Sequence, residues 1–152
     1  MQSRTAVEVA QEFLTVLWAD ATPDDAHLAK ALDRLLAASH DVEPADGVDC
    51  DVVPPKEEWS ELYKQVSVRF PDYGRYAVAN SLTLEEGRLI TGDPIDDLTD
   101  LTTDLRQVVW RGDNFGPDEA AWYFRLMYEV HWGRHARELA LFLHSRLTSP
   151  PE

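Results

Sequence analysis

Apolar side chains recur every three or four residues along most of this chain. That spacing places them on one face of an α-helix, with polar residues opposite. The pattern predicts five main helices, over about residues 5–19, 23–40, 56–70, 94–110 and 117–147. No segment alternates apolar and polar residues over a length that indicates a strand. We therefore expect an all-α, single-domain helical bundle.

Several helix ends are marked by residues that suit helix termini. Thr22 can cap the second helix with Pro23 at its first position, and Asp93 and Pro94 repeat this arrangement before the fourth. Residues 111–116 include two glycines, an aspartate and an asparagine, which predicts a turn between the fourth and fifth helices. A turn this short places those two helices side by side and antiparallel.

A long acidic loop is predicted between the second and third helices, over residues 41–55. It contains Pro44, Gly47, Pro54 and Pro55, and it exceeds the usual length of a connection. Such a loop is either mobile or part of a binding surface.

The segment before the fourth helix and the C-terminal end are the least regular parts of the chain. Residues 72–92 show no dominant period, and we expect a short helix near residues 76–80 followed by irregular chain. Residues 148–152 are predicted to be a disordered tail. The single helical domain would then span residues 1–152.

Length and composition narrow the class of protein. A chain of 152 residues suits one domain that needs neither disulfide nor metal for stability. Its one cysteine, Cys50, cannot form an internal disulfide, which favours a reducing compartment. The N-terminal residues have no apolar h-region, so we expect no secretion signal, and no apolar run approaches the ~20 residues that span a membrane. We therefore expect a cytoplasmic protein; the role of Cys50 and the oligomeric state stay open.

Charge is the unusual bulk property. The chain has 14 Lys and Arg residues against 28 Asp and Glu residues, a formal net charge of −14. Phosphate backbones and anionic membranes would repel such a protein, so neither nucleic acid nor membrane is an expected partner. The same charge favours a basic protein partner, or serves solubility alone.

The most informative cluster of polar residues lies in the last helix. Within a pattern that otherwise predicts a buried face stands the sequence His131-Trp132-Gly133-Arg134-His135. Buried polar groups need partners. The candidates are three aspartates of the fourth helix: Asp93, Asp97 and Asp100. Counting outward from Asn114 along two antiparallel helices places Asp97 level with His131 and Asp93 level with His135.

Four residues are expected to pack around this polar centre: Trp122, Tyr128, Trp132 and Gly133. Gly133 lowers helix propensity by about 1 kcal/mol, which suggests that a backbone or a large ring lies against it. Trp59 and Trp132 are the candidate rings.

Three interpretations of the centre are open. It can be structural, with an Asp97–His131 hydrogen bond and an Arg134–carboxylate pair that hold two helices in register. It can bind zinc, iron or manganese through Asp97, Asp100, His131 and His135, because His-x-x-x-His places two imidazoles one turn apart. It can also support acid–base catalysis by His131 with Asp97 as its orienting group. No nucleophile motif and no phosphate-binding glycine loop accompanies it.

The fourth and fifth helices also carry a family resemblance. An aspartate-rich helix is followed by an aromatic-Arg-aromatic stretch and then by His-Trp-Gly-Arg-His. This arrangement resembles a bacterial family of uncharacterised helical proteins, the domain of unknown function numbered 5063. The matching residues are Asp96, Asp97, Asp100, Asp104, Trp122, Arg125, Glu129, His131, Trp132, Gly133, Arg134 and His135. The resemblance implies the same helical fold and brings no activity, substrate or partner.

Two functions follow from these observations. The first is a non-enzymatic interaction module, such as a regulator or immunity-type protein, with a structural polar centre and no cofactor. Its acidic loop, Asp41 to Asp51, would contact a basic protein. The alternative is a metal-dependent hydrolase with a His/Asp metal site inside the bundle.

Overall fold

The computed structural model describes residues 4–48, 53–84 and 89–149. Its elements are α1 (Ala6–Leu17), α2 (Asp25–Ala38), α3 (Trp59–Arg69), β1 (Tyr76–Val78), β2 (Ile90–Gly92), α4 (Pro94–Phe115), α5 (Pro117–Met127), a π-helical segment (Tyr128–Trp132) and α6 (Gly133–Thr148). The predicted all-α, single-domain architecture is confirmed, with one small two-stranded sheet added to it.

One predicted cap is right and the other is wrong. Asp93 caps α4 as expected, because its side chain accepts a hydrogen bond from the backbone nitrogen of Ile95 at 2.9 Å. Asp24, not Thr22, caps α2, with Oδ1 accepting from the backbone nitrogen of His27 at 2.9 Å. The helix therefore starts after Pro23, since an aspartate in extended conformation satisfies the free N–H groups of the first turn.

The turn expected over residues 111–116 is wrong, because α4 continues to Phe115 and Gly116 alone makes the connection. Gly116 has a φ of 95°, a conformation that suits glycine. Gly112 serves packing instead, since a Cβ there would lie 2.3 Å from Cγ2 of Val7 on α1. Asn114 stays helical and donates its side-chain amide to the Trp110 carbonyl at 2.8 Å.

Residues 76–92 also differ from expectation. The short helix predicted near residues 76–80 is wrong, and so is the expected absence of strands. β1 and β2 pair antiparallel, with Tyr76 opposite Gly92 and Val78 opposite Ile90. The strands have three residues each, too few to show an alternating pattern in sequence. The Tyr76 ring lies directly over Gly92, where a Cβ would come within 2.3 Å of it.

The apolar faces of the helices meet in one core around α4, which contacts α1, α3, α5 and α6. The largest fully buried side chains include Phe13, Leu32, Leu98, Phe124 and Trp132. Each such side chain contributes roughly 1.5–3 kcal/mol through burial. Because neighbours surround α4, several of its polar residues are buried too: Asp97, Thr99, Thr102 and Asp104.

The first half of the acidic loop is held against α5. An Arg125 Nη1 donates to the Val42 carbonyl at 2.9 Å, and the Trp122 ring packs on Gly47. Residues 49–52, which include Cys50, lie outside the described residues, as do residues 150–152 of the predicted tail. Within the described ranges, no helix has the length and apolar character to cross a membrane.

Candidate functional site: a histidine–aspartate centre between α4 and α6

A π-helical segment positions the two histidines. The last helix runs continuously from α5 to α6, but residues 128–132 form a wider turn with i→i+5 geometry. Gly133 follows it, and a Cβ there would lie 2.3 Å from the Tyr128 carbonyl oxygen and 2.7 Å from the Tyr128 ring. The group that lies against Gly133 is therefore Tyr128, and not the predicted Trp59 or Trp132. Such π-turns are frequent at functional sites.

Each histidine is oriented by a buried carboxylate on α4. Nδ1 of His131 lies 2.6 Å from Oδ2 of Asp104, and Nδ1 of His135 lies 2.6 Å from Oδ1 of Asp97. The Tyr76 hydroxyl donates a hydrogen bond to the other oxygen of Asp97. Both aspartates are at most 4% exposed. Each ring is thus held through Nδ1, which leaves Nε2 for another contact.

Both Nε2 atoms face the same carboxylate oxygen. Oδ2 of Asp100 lies 3.5 Å from Nε2 of His131 and 3.2 Å from Nε2 of His135. Oδ1 of Asp100 accepts a hydrogen bond from Nε1 of Trp59 at 2.9 Å. The two imidazole rings are 5.0 Å apart and nearly perpendicular. Three side chains therefore point three donor atoms at one small volume.

The predicted partners of the histidines are displaced along α4, by about one helical turn for His135 and by about two turns for His131. Asp97 contacts His135 rather than His131, and Asp104 takes the place beside His131. The cause is the connection between the helices: α4 extends to Phe115, so the pivot is Gly116 rather than Asn114. The π-segment adds to the displacement because it contains more residues per turn.

Asp93 and Arg134 do not take the roles expected of them. Asp93 caps α4 and accepts a hydrogen bond from the Tyr63 hydroxyl at 2.6 Å. Arg134 pairs with Glu138 on its own helix at 2.7 Å, and its side chain is 64% exposed. The predicted ion pair from Arg134 to the fourth helix is therefore wrong. One turn of helix separates residues 134 and 138, so the pair is a surface contact.

The expected packing residues divide into two groups. Tyr128 and Trp132 belong to the π-helical segment, and Gly133 follows it directly. Trp132 is fully buried and its Nε1 donates to the Phe124 carbonyl at 3.1 Å. Trp122 lies elsewhere, against Gly47 of the acidic loop.

Three contributors to the site were not predicted in their roles. Asp104 continues the aspartate stripe of α4, but counting from Gly116 places it level with Tyr128, about one helical turn before His131. Trp59 was considered only as a ring against Gly133. Tyr76 has no signal in the sequence, because the hairpin that brings it to Asp97 leaves no recognisable pattern.

Burial raises the pKa of two carboxyl groups. It raises the pKa of Asp104 to about 6, against the opposing charge and hydrogen bond of His131. It also raises the pKa of Asp97, although hydrogen bonds from His135 and Tyr76 oppose that change. Burial therefore disfavours the ionised form of both carboxyl groups, and the neighbouring imidazoles favour it.

His135 and Asp100 have pKa values that favour their charged forms. Burial disfavours a charged His135, but hydrogen bonds to Asp100 and Asp97 outweigh it and raise the pKa of His135 to about 10. Burial would likewise raise the pKa of Asp100, but hydrogen bonds from His135 and Trp59 outweigh it and lower that pKa. Without a metal, His135 is therefore an imidazolium between two aspartates.

Two sets of side chains bring candidate metal ligands together among the described residues: Asp100 with His131 and His135, and Asp96 with Asp97 and His135. In each set the ligand atoms lie within 4.8 Å of one another. Donor atoms about 2.0–2.1 Å from one metal ion, at ordinary bond angles, lie about 3.0–3.4 Å apart. The distances of 3.2 and 3.5 Å from Asp100 to the two Nε2 atoms are close to that spacing.

The fold and this centre define the class: a single helical domain with a histidine–aspartate cluster between its two longest helical runs. The model of the Domain of unknown function (DUF5063) matches residues 2–149, so this chain belongs to that family and the resemblance is confirmed.

A solved structure shares the fold. The crystal structure of protein BF1032 from Bacteroides fragilis superposes with a TM-score of 0.74, over 97% of this chain and 92% of the other, at 16% identity. Identity this low supports the fold alone. No curated protein matches the chain.

Proposed function

We propose that this protein binds one divalent transition-metal ion through Asp100 Oδ2, His131 Nε2 and His135 Nε2. One observation carries the proposal: two imidazole nitrogens from α6 and its π-segment converge on one carboxylate oxygen of α4. Two histidines and one carboxylate are a recurrent ligand set for zinc and non-haem iron.

The surrounding hydrogen bonds support this assignment. Metal-bound histidines almost always donate their other N–H to a carboxylate, a carbonyl or water. Asp104 fills that position for His131, and Asp97 fills it for His135. Trp59 orients Asp100 in the same way. Every proposed ligand is therefore oriented through an atom that the metal does not need.

The charges of the centre are also compatible with a bound cation. The centre holds three carboxylates, of Asp97, Asp100 and Asp104, against two imidazoles. One divalent cation beside neutral imidazoles would balance part of this negative charge. It would displace the proton of the His135 imidazolium, so metal binding would release protons. A buried ion pair alone contributes little net stability.

Three protein ligands suit a catalytic site better than a structural one, because structural zinc takes four. Water or a substrate can occupy the open positions. The His131 side chain is 35% exposed, and a cleft lined by Trp59, Tyr63, Asp96 and His135 adjoins the centre. A metal there would activate bound water, so hydrolysis is the reaction class that we propose.

Metal analysis of protein purified without a metal-affinity tag tests the assignment. We expect about one zinc, iron or manganese ion per chain, and a rise in melting temperature when metal is returned to EDTA-treated protein. Asp100→Asn and His135→Gln should lose the metal. Asp96→Asn is the matched control and should keep it, since Asp96 belongs only to the other ligand set.

The orienting carboxylate provides a finer test. Asp104→Asn should still bind metal, with an affinity about 10–100-fold weaker. The proposal is wrong if wild-type protein neither contains metal nor shows a thermal shift with any of the three ions. It is also wrong if Asp96→Asn loses the metal while Asp100→Asn keeps it.

A second candidate is the acidic interaction module. Asp41, Glu43 and Asp46 are exposed on a loop segment that Arg125 and Trp122 hold against α5. An ordered acidic surface would attract a basic protein. Wild-type protein on a resin should retain a basic protein from lysate at low salt and release it at high salt. The triple variant with Asn or Gln at these positions should retain less. Equal retention by both forms would contradict this function.

A further inference from the structure

A largely apolar groove lies on the other side of Tyr76, between β1 and the exposed face of the last helix. Its volume is about 860 Å³. It follows the helix from Tyr128 to Ser145, a length of roughly 25 Å at 1.5 Å per residue. Val78 forms part of one wall, while Leu141 and Phe142 form part of the other. Leu141 is 66% exposed there.

Specific contacts fix the positions of the groove walls. Tyr76 stacks on Phe142 with ring centroids 5.2 Å apart, and its hydroxyl is bonded to Asp97. At the far end, the absence of a side chain at Gly133 lets the Tyr128 ring lie against the helix backbone. The groove is therefore a built feature that exposes apolar surface at some cost in stability.

Charge in the groove selects the kind of ligand. Arg134 is neutralised by Glu138 at 2.7 Å. Arg137 instead donates to the neutral hydroxyl of Tyr128 at 2.6 Å, with its guanidinium 5.8 Å from that ring. Its positive charge thus stands beside a hydroxyl that can also donate to an anion. Glu129 at the rim would repel a second negative group.

We propose that this groove binds a free amphipathic molecule with one anionic group, such as a medium-chain carboxylate. The apolar body lies along Val78, Leu141 and Phe142, and the anion is bound by Arg137 and the Tyr128 hydroxyl. A volume of this size is that of a small-molecule site. The net charge of −14 would repel an anionic membrane, so the ligand is a free molecule.

Two fluorescent probes that differ by one group test the proposal. 1-Anilinonaphthalene-8-sulfonate has an apolar body and one sulfonate, and N-phenyl-1-naphthylamine has the same body without it. We expect saturable binding of both to wild-type protein. Arg137→Gln should weaken sulfonate binding by about tenfold or more and change binding of the neutral probe by less than about twofold. Leu141→Asp should weaken both probes by about tenfold or more.

Matched variants control for non-specific effects. Leu147→Asp changes another exposed leucine of α6, outside the groove, and Lys64→Gln removes an exposed positive charge on α3. Both should bind the probes as wild type does. Circular dichroism must show an unchanged fold, since unfolding itself increases binding of these dyes.

A competition experiment identifies the natural form of the ligand. Dodecanoate should displace the sulfonate probe, whereas phosphatidylglycerol vesicles should not sediment with the protein. The proposal is overturned if wild-type protein shows no saturable binding, if Arg137→Gln affects both probes equally, if Leu147→Asp acts like Leu141→Asp, or if vesicles bind and dodecanoate does not.

Discussion

The protein has two acidic regions whose aspartates have different environments. On α4, Asp97 and Asp104 are almost fully buried, and a histidine contacts each at 2.6 Å. In the loop after α2, Asp41 and Asp46 are exposed to solvent. The aspartates of α4 therefore act through specific short-range contacts, whereas those of the loop act through long-range electrostatic interactions. The same residue type supports a metal-site proposal in one region and a partner-surface proposal in the other.

The largest expected difference between the regions comes from removing one buried carboxylate. Asp97→Ala leaves His135 and Tyr76 without their partner, so it should lower the free energy of unfolding by about 3 kcal/mol or more. Asp46→Ala should change it by less than about 0.5 kcal/mol. Urea titrations in EDTA measure both. Equal effects would show that burial on α4 does not distinguish the two regions.

The pH dependence of stability should also belong to the α4 region. The folded-state pKa of His135 is raised to about 10 from 6.5, so its contribution is fully present below pH 6.5 and is lost as pH rises toward 10. Metal-free protein should lose several kcal/mol over this window, since one pKa unit corresponds to about 1.4 kcal/mol. His135→Gln should lose much less. The midpoints of urea unfolding at several pH values measure this difference. If the midpoints of both proteins change equally with pH, the prediction is contradicted.

The stabilisation that a bound metal provides should increase with pH, opposite to the stability of the metal-free protein. A metal ion competes with protons for the histidines, so metal affinity should rise with pH over the same window. The acidic loop predicts no such reversal, and its triple variant serves as the control. Titrations with zinc at three pH values measure the affinity.

Another comparison concerns two glycines, Gly133 beside the histidines that contact α4 and Gly47 in the acidic loop. In Gly133→Ala the new Cβ would lie 2.3 Å from a backbone oxygen that cannot move easily. The cost should be about 2 kcal/mol. In Gly47→Ala the nearest atom, at 2.8 Å, belongs to the exposed Trp122 ring, which can shift, so the cost should stay below about 1 kcal/mol. Thermal unfolding of the two variants checks the order, and a reversed order would contradict it.

The smallest effects involve two arginines. Arg125→Gln removes the hydrogen bonds to the Val42 and Ser39 carbonyls, which should cost about 1 kcal/mol and make the loop more sensitive to protease. Arg134→Gln removes a surface pair with Glu138 and should cost less than about 0.5 kcal/mol. Limited proteolysis and thermal unfolding compare them. A loop equally protected in both variants would show that Arg125 does not hold it.

Long periodic patterns predict the helices correctly. Periodicity and residue type also indicate the Asp93 cap and the involvement of Asp97, Asp100, His131 and His135. The end of α4 and the pairing of its aspartates have no such pattern. No local pattern shows that Gly112 packs against Val7 of α1 inside the helix while Gly116 follows its last residue.

The sequence by itself determined that two helices carry complementary acidic and imidazole faces, because 3.6-residue periodicity groups those residues whatever the surroundings. Tertiary structure alone decided which aspartate contacts which histidine, because the register depends on the single-residue connection at Gly116 and on the π-turn. It also decided that Tyr76 and Trp59 reach the centre, since both come from segments far away in the chain. Packing of distant segments, and not helix propensity, places three donor atoms around one point.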